Sequence, residues 1–456
     1  MTPADAAQRL GFWRAPLAAA LCLLIGTPLT GATAQDGGSY VGVATCGGST
    51  CHGRAEGNGE IVRQDEIATW QEPSSPSGAH SRAFAVLSGV RSRQIAASLG
   101  LGDPTSAPAC IGCHATFAPA AERGPRFQLS DGVGCESCHG PAGEWIASHY
   151  TTAGDHPANL RAGLKALENP QVRAGVCLDC HFGSAKGNQF VTHRMMAAGH
   201  PRILFELDLF SALQQHHDED ADYTQRKGRT NSVLLWAVGQ AEAVRRQADL
   251  FSRPAFGTEG VFPEFFFYDC HSCHRAIADG PQRRLTFETN PARPIPFGQP
   301  PFNDENQIML ATVARVLAPS QGQAFDVASR SFHAAMGEGR SEAAQAAMRL
   351  RDAAATLSDA LARSGGGDAF TVIAAIADRT TSPRFTDYAG SAQAVMAVDT
   401  LLNAMVREGR VTVGAAAGIR ADLNRAYDAV RSAESYNPVR FRGALGQAAG
   451  AIGKLR

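Results

Sequence analysis

One short pattern occurs five times in this chain: two cysteines with a histidine directly after the second. Two residues separate the cysteines in four of the copies, and four residues separate them in the first. This pattern is the attachment signature of c-type haem, because the two thiols form thioethers to the porphyrin and the adjacent imidazole ligates the iron. The sequence therefore predicts five covalently attached haems c. The copies are Cys46-Cys51-His52, Cys110-Cys113-His114, Cys135-Cys138-His139, Cys177-Cys180-His181 and Cys270-Cys273-His274.

The number of cysteines supports this interpretation. The chain has 11 cysteines, and one of them, Cys22, lies in the apolar N-terminal stretch. The other ten supply two thiols to each of five haems with none left over. Disulfides or four-cysteine zinc sites are the alternatives, but neither accounts for a histidine after every second cysteine.

The N-terminus has the features of a secretory signal peptide. Two arginines precede an apolar run at residues 17–25, and Ala32-Thr33-Ala34 offers a small-residue cleavage site. The run is shorter than the ~20 residues that a membrane-spanning helix needs. We expect residues 1–34 to be removed, leaving a soluble, exported chain that begins near Gln35 and has no transmembrane segment. Covalent haem attachment beyond the inner membrane makes the periplasm the expected compartment.

The overall charge does not favour polyanionic partners. The formal net charge is -1 over 456 residues, so we expect neither nucleic acid nor an anionic membrane as a partner.

The haem motifs define a domain at residues 35–295. All five lie within residues 46–274, which is too little chain to bury five porphyrins separately. We therefore expect the macrocycles to form much of the core, wrapped by short helices and long loops. A longer helix is predicted at 231–251, where it begins at a capping-type asparagine.

The sequence becomes rich in alanine after about residue 300 and contains no further motif. Apolar residues recur there at alternating steps of three and four, which is typical of amphipathic helices. The predicted fold is mainly α, with an antiparallel helical bundle at 300–456 that serves docking or dimerisation. The predicted helices cover 304–317, 325–336, 343–361, 395–405 and 419–433.

The second axial ligand decides what each iron does, because an iron with two protein ligands only passes electrons. Nine histidines lie outside the five proximal positions. His193 and His200 are seven residues apart, so on one helix they lie about 10 Å apart and suit two different irons. His271 lies between two haem-binding cysteines and is not expected to reach its own iron. The nine are His80, His149, His156, His193, His200, His216, His217, His271 and His333.

Three segments resemble the multihaem cytochromes of the cytochrome c-554 type. The first runs from Trp70 to His80-Ser81-Arg82-Ala83, and the second is Gly132-Val133-Gly134-Cys135-Glu136-Ser137-Cys138-His139-Gly140-Pro141 with His149. The third spans residues 192–202 and contains both His193 and His200. The resemblance covers roughly residues 40–285. The fifth motif and the alanine-rich C-terminal third depart from the tetrahaem pattern of that family.

The resemblance implies several distal ligands. These are His80, His149 and one or both of His193 and His200, in a closely stacked electron conduit. His216 and His217 are both candidates for the fifth iron, and the resemblance favours His217. Which histidine serves which iron stays open at this point.

Two functions fit the sequence. The first is electron transfer along mostly bis-histidine haems, between periplasmic or membrane-bound redox proteins. The alternative is an oxidoreductase of a small nitrogen or sulfur compound at one five-coordinate haem. Electron transfer is favoured because candidate ligands outnumber the irons, and because no motif replaces its histidine with the lysine found in the resembling nitrite reductases.

Overall fold

The computed structural model describes residues 39–57, 63–151, 155–186, 188–260, 263–275 and 299–456. The predicted signal peptide at 1–34 and the expected start of the mature chain lie outside these residues. The predicted domain boundary at 295 lies outside them as well.

The described residues are mainly helical, which confirms the predicted fold class. Their only β-type pairings are two isolated bridges, Tyr40 with Arg123 and Tyr268 with Phe302. The helices up to the fifth motif are α1 (Val43–Cys46), α2 (Arg82–Ala85), α3 (Val90–Leu99), α4 (Pro108–His114), α5 (Cys135–His139), α6 (His156–Arg161), α7 (Pro170–His181), α8 (His193–Ala197), α9 (Leu207–Leu213), α10 (Ala221–Lys227), α11 (Ser232–Ser252) and α12 (Cys270–Cys273). Most of them are short, as expected for this part of the chain.

The regular haem motifs coincide with helices. Motifs two, three and four lie at the C-terminal ends of α4, α5 and α7, and the fifth motif forms α12. Residues three and four apart share one face of a helix, so both thiols and the following imidazole project to the same side. In the first motif α1 ends at Cys46, and the four-residue spacer continues as a turn. The extra two residues therefore loop out instead of extending the helix.

The alanine-rich region folds into seven helices among the described residues. These are α13 (Glu305–Leu317), α14 (Pro319–Ala335), α15 (Arg340–Arg363), α16 (Ala369–Thr380), α17 (Tyr388–Arg407), α18 (Val413–Ala429) and α19 (Pro438–Gly453). All five segments predicted there are helical, with ends that differ by several residues. Two further helices, α16 and α19, were not predicted.

Helix α11 joins the motif-bearing part of the chain to these C-terminal helices. Its residues are buried on almost every side, and Trp236 belongs to the same core cluster as Leu350 and Phe441. The hydroxyl of Ser358 in α15 donates to Oε1 of Glu242 in α11 at 2.7 Å. The long helix between motifs four and five is thus packed inside the core that the alanine-rich helices build.

A buried carboxyl group begins helix α9. The side chain of Glu206 accepts hydrogen bonds from the backbone N–H groups of Asp208 and Leu209. Burial and the neighbouring Asp208 raise the pKa of Glu206 to about 8. Glu206 therefore keeps its proton in the folded protein at pH values where the unfolded chain has lost it.

We predict that Glu206→Gln flattens the pH dependence of stability. The pKa of Glu206 is higher in the folded protein than in the unfolded chain, where it is near 4.5. The contribution of Glu206 to the free energy of unfolding is therefore complete below pH 4.5 and is lost as the pH rises towards 8. The wild type should lose roughly 2–5 kcal/mol from this group between about pH 5 and pH 8. Urea unfolding of the wild type and of the variant at several pH values measures this loss of stability. Parallel curves for the two proteins would contradict the prediction.

Candidate haem-binding sites

Five candidate sites follow from the motifs and are numbered in chain order. Site 1 contains His52, site 2 His114, site 3 His139, site 4 His181 and site 5 His274, each with the two cysteines of its motif. All ten cysteines are free thiols, so each of them is available for a thioether. Among the described residues, no three or more His, Cys, Asp or Glu side chains form a cluster around a common metal position.

Each motif histidine faces a second histidine from elsewhere in the chain. The distances between ring centroids fall between 6.1 and 6.3 Å at all five sites. The pairs are His52 with His149 (6.3 Å), His114 with His200 (6.3 Å), His139 with His216 (6.2 Å), His181 with His80 (6.1 Å) and His274 with His193 (6.2 Å).

This separation fits an iron ligated from both sides. An iron–nitrogen bond of about 2.0 Å and a further ~1.1 Å to the ring centre place two axial imidazoles about 6 Å apart. Direct stacking of the rings would bring them closer than that. The residues present therefore fit five haems c held by two histidines each.

Hydrogen bonds to Nδ1 orient six of these ten rings. When Nδ1 carries the proton and donates it, Nε2 keeps its lone pair for a metal. Two of the six rings bond to side chains: His52 to Glu66 (2.9 Å) and His80 to Gln214 (2.8 Å). The other four bond to backbone carbonyls: His114 to Ala83 (2.7 Å), His149 to Ile146 (2.7 Å), His200 to Pro201 (2.8 Å) and His216 to Gln214 (2.7 Å).

The other four histidines have different surroundings. Nε2 of His156 lies 2.7 Å from Glu168, and the ring of His271 bonds to the carbonyl of Ala433. Nε2 of His333 is buried 3.3 Å from a carboxylate oxygen of Asp304, among the C-terminal helices. The ring of His217 lies 5.7 Å from that of Tyr223.

Of two consecutive histidines, the one that lies at site 3 is not the one that the sequence favoured as a ligand. The resemblance favoured His217 for the fifth iron, but the structure places its neighbour His216 opposite His139 of site 3 and places His193 opposite His274 of site 5. Helix α9 ends just before Gln214, whose carbonyl accepts Nδ1–H of His216 and holds that ring in place. No signal in the sequence distinguishes two consecutive histidines that follow a helix end.

The two histidines of the third resembling segment lie at different sites. Helix α8 begins after Thr192, whose hydroxyl caps the N–H of Met195 at 3.2 Å. His193 at its start lies beside site 5, whereas His200, past its end, lies beside site 2. This one segment therefore connects sites 2 and 5.

Contacts between motifs show which sites are neighbours. Helix α1, which ends at Cys46, contacts helix α5 of the third motif, and Cys46 raises the pKa of the Cys135 thiol, so sites 1 and 3 touch. Helix α4 contacts helix α7, and Cys113 raises the pKa of the Cys180 thiol, which joins sites 2 and 4.

Gln214 links sites 3 and 4 on their distal side. Its Oε1 accepts from Nδ1 of His80 (2.8 Å) and from Nε1 of Trp70 (2.9 Å), and its carbonyl accepts from His216. With α8 joining sites 2 and 5, the order of neighbours is 1, 3, 4, 2 and 5.

The motif histidines of sites 3 and 4 are half-buried and uncharged. Burial lowers the pKa of His139 and of His181 to about 4 each, so both rings are neutral near pH 7. The neutral imidazole is the form that ligates a metal. By contrast, Cys51 of site 1 and Cys273 of site 5 are exposed.

A search against family models gives the class of this protein. Residues 45–140 match the model described as cytochrome c554 and c-prime, and this stretch contains the complete motifs of sites 1 to 3. The match identifies a c-type cytochrome, with covalently bound haem c and a role in electron transfer.

Residues 45–140 thus belong to the cytochrome c554-type family, which confirms the resemblance for this part of the chain. The wider extent inferred from the sequence, roughly 40–285, stays a prediction. Searches of curated proteins and of solved structures returned no match. Within the described residues, no helix combines the length and the apolar character needed to cross a membrane.

A buried carboxylate inside the third motif holds the segment that leads into site 1. Oε1 of Glu136 accepts from the backbone N–H groups of Val41 (2.9 Å) and Ala142 (2.8 Å), and Oε2 accepts from that of Gly42 (2.8 Å). The position of site 1 against site 3 therefore depends partly on this one side chain.

We predict that Glu136→Gln loosens this segment, because an amide replaces one of the two acceptor oxygens. The free energy of unfolding should fall by roughly 2–3 kcal/mol. Hydrogen exchange should speed up at residues 39–47, and Glu144→Gln, at an exposed position nearby, is the matched control. Equal exchange in the two variants would contradict the role given to Glu136.

Proposed function

We propose that this protein is an exported, periplasmic electron carrier with five haems c, each ligated by two histidines. It passes electrons between periplasmic or membrane-bound redox proteins. The family match supports the coarser part of this proposal, a c-type cytochrome with a role in electron transfer. The number of haems, their ligands and the compartment are our inference.

The observation that carries the proposal is the pairing of imidazoles. Every motif histidine has a second histidine at 6.1 to 6.3 Å. With both axial positions filled by protein, an iron exchanges one electron and offers no position to a substrate. The alternative, an oxidoreductase of a small nitrogen or sulfur compound, requires one motif histidine without such a partner.

The order of the sites supports conduction through the protein. The neighbouring sites run from site 1 through sites 3, 4 and 2 to site 5. The two terminal sites each have an exposed cysteine, whereas the cysteines of sites 2, 3 and 4 are all only partly exposed. We infer that electrons enter and leave through the two ends.

The C-terminal helices adjoin one of these ends. His271, inside the fifth motif, donates to the carbonyl of Ala433 at 2.6 Å, and its ring lies 5.1 Å from that of Tyr436. We propose that residues 300–456 support site 5 and serve as the docking or dimerisation surface beside it.

The direct test is to count the haems and determine their spin state. The exported protein, produced with haem-maturation machinery, should carry five haems by mass and show only low-spin ferric signals in paramagnetic resonance. Its optical spectrum should not change when cyanide is added. A high-spin haem that binds cyanide would favour the oxidoreductase, and fewer than five haems would contradict the count.

The choice between His216 and His217 is tested by a matched pair of variants. His216→Met should raise the reduction potential of one haem while all five stay attached, because thioether ligation favours the reduced iron. His217→Met should leave all potentials unchanged. Spectroelectrochemical titration of both variants measures the effect, and a shift in the His217 variant alone would reverse the assignment.

A further inference from the structure

The hydrogen bond to the histidine of site 1 differs from the others found at the five sites. Nδ1 of His52 lies 2.9 Å from Oε2 of Glu66, a carboxylate. The other five Nδ1 bonds end on uncharged oxygens, either a backbone carbonyl or the side-chain amide of Gln214. At site 5, His274 and Glu434 are 4.0 Å apart, and both side chains are exposed.

Glu66 is held in place by the chain around site 1. Its side chain is only 12% exposed, and Oε1 accepts from the backbone N–H of Gln64 at 3.3 Å. The next residue, Ile67, donates its backbone N–H to the carbonyl of His52 at 3.0 Å. Residues on either side of Glu66 thus hold its carboxylate beside His52 of the first motif.

A carboxylate acceptor changes the ligand it contacts. Hydrogen bonds to a charged partner are roughly twice as strong as neutral ones. A carboxylate behind a ligating imidazole also raises the basicity of that ligand. A more basic ligand stabilises the ferric state more than the ferrous state, so it lowers the reduction potential.

We propose that Glu66 is a positioning residue that gives site 1 the lowest reduction potential of the five sites and makes it the entry point for electrons. This inference rests on the proposed function, since it requires a haem at each histidine pair. A reduced one-electron redox protein would convert the ferric iron to ferrous at the exposed site 1. The electron would then pass to site 3, and no bond forms or breaks.

The test measures the midpoint potentials of the complete five-haem protein carrying Glu66→Gln. The lowest midpoint potential of this variant should rise by at least about 59 mV. For a one-electron couple, this rise increases the ratio of ferrous to ferric iron tenfold at a fixed solution potential. The other four midpoints should not move. Glu72→Gln is the matched control, because it removes the same charge from an exposed side chain that contacts no histidine of the five sites.

Two further variants assign the effect. Glu66→Asp keeps the charge and should retain more of the low potential than the glutamine variant, even if folding is perturbed. His149→Met, on the other side of site 1, should raise the same lowest midpoint. If it raises a different midpoint, or if Glu66→Gln and Glu72→Gln give equal shifts, the inference is wrong.

The outcomes separate this inference from the proposed function. A missing haem or a high-spin haem in the wild type would overturn the proposed function. Five low-spin haems with an unchanged lowest midpoint in Glu66→Gln would overturn the role of Glu66 alone.

Discussion

The structure depends on one geometric arrangement: in the described residues, five pairs of imidazoles have their ring centres 6.1 to 6.3 Å apart. This is the separation that two ligands on opposite sides of one iron would need. One member of each pair is placed by its motif, and in the four regular motifs the helical spacing also places the thiols. The other member comes from a distant segment. Much of the first half of the chain therefore serves to bring second histidines to the motifs.

The hydrogen bonds behind the rings connect this geometry to function. Backbone carbonyls orient several imidazoles without adding charge, whereas Glu66 adds a carboxylate at one end of the series. Gln214 accepts from the distal histidines of two neighbouring sites, so it couples the orientation of one ring to that of the other. A neutral and a charged hydrogen-bond acceptor behind the imidazole can therefore give different reduction potentials to two haem sites, even when both sites have the same pair of histidine ligands.

Much of the fold was predictable because helical periodicity is a local property. The helix predicted at 231–251 is observed at Ser232–Ser252, and all five segments predicted in the alanine-rich region are helical. Helices Ala369–Thr380 and Pro438–Gly453 were not predicted from the pattern of apolar residues. Nor did the sequence indicate that the helix at Ser232–Ser252 packs into the core of the C-terminal helices, since burial on nearly all sides depends on the partners.

The candidate haem-binding residues can be read from the amino-acid sequence, because the chemistry of attachment requires two thiols and a histidine at short, fixed spacing. The second histidine that faces each motif is known only from the folded chain. His80 and His181 lie far apart in the chain, and consecutive residues His216 and His217 have different neighbours. Which two histidines face each other depends on distances in space between segments that are far apart in the chain. No local sequence pattern records these distances.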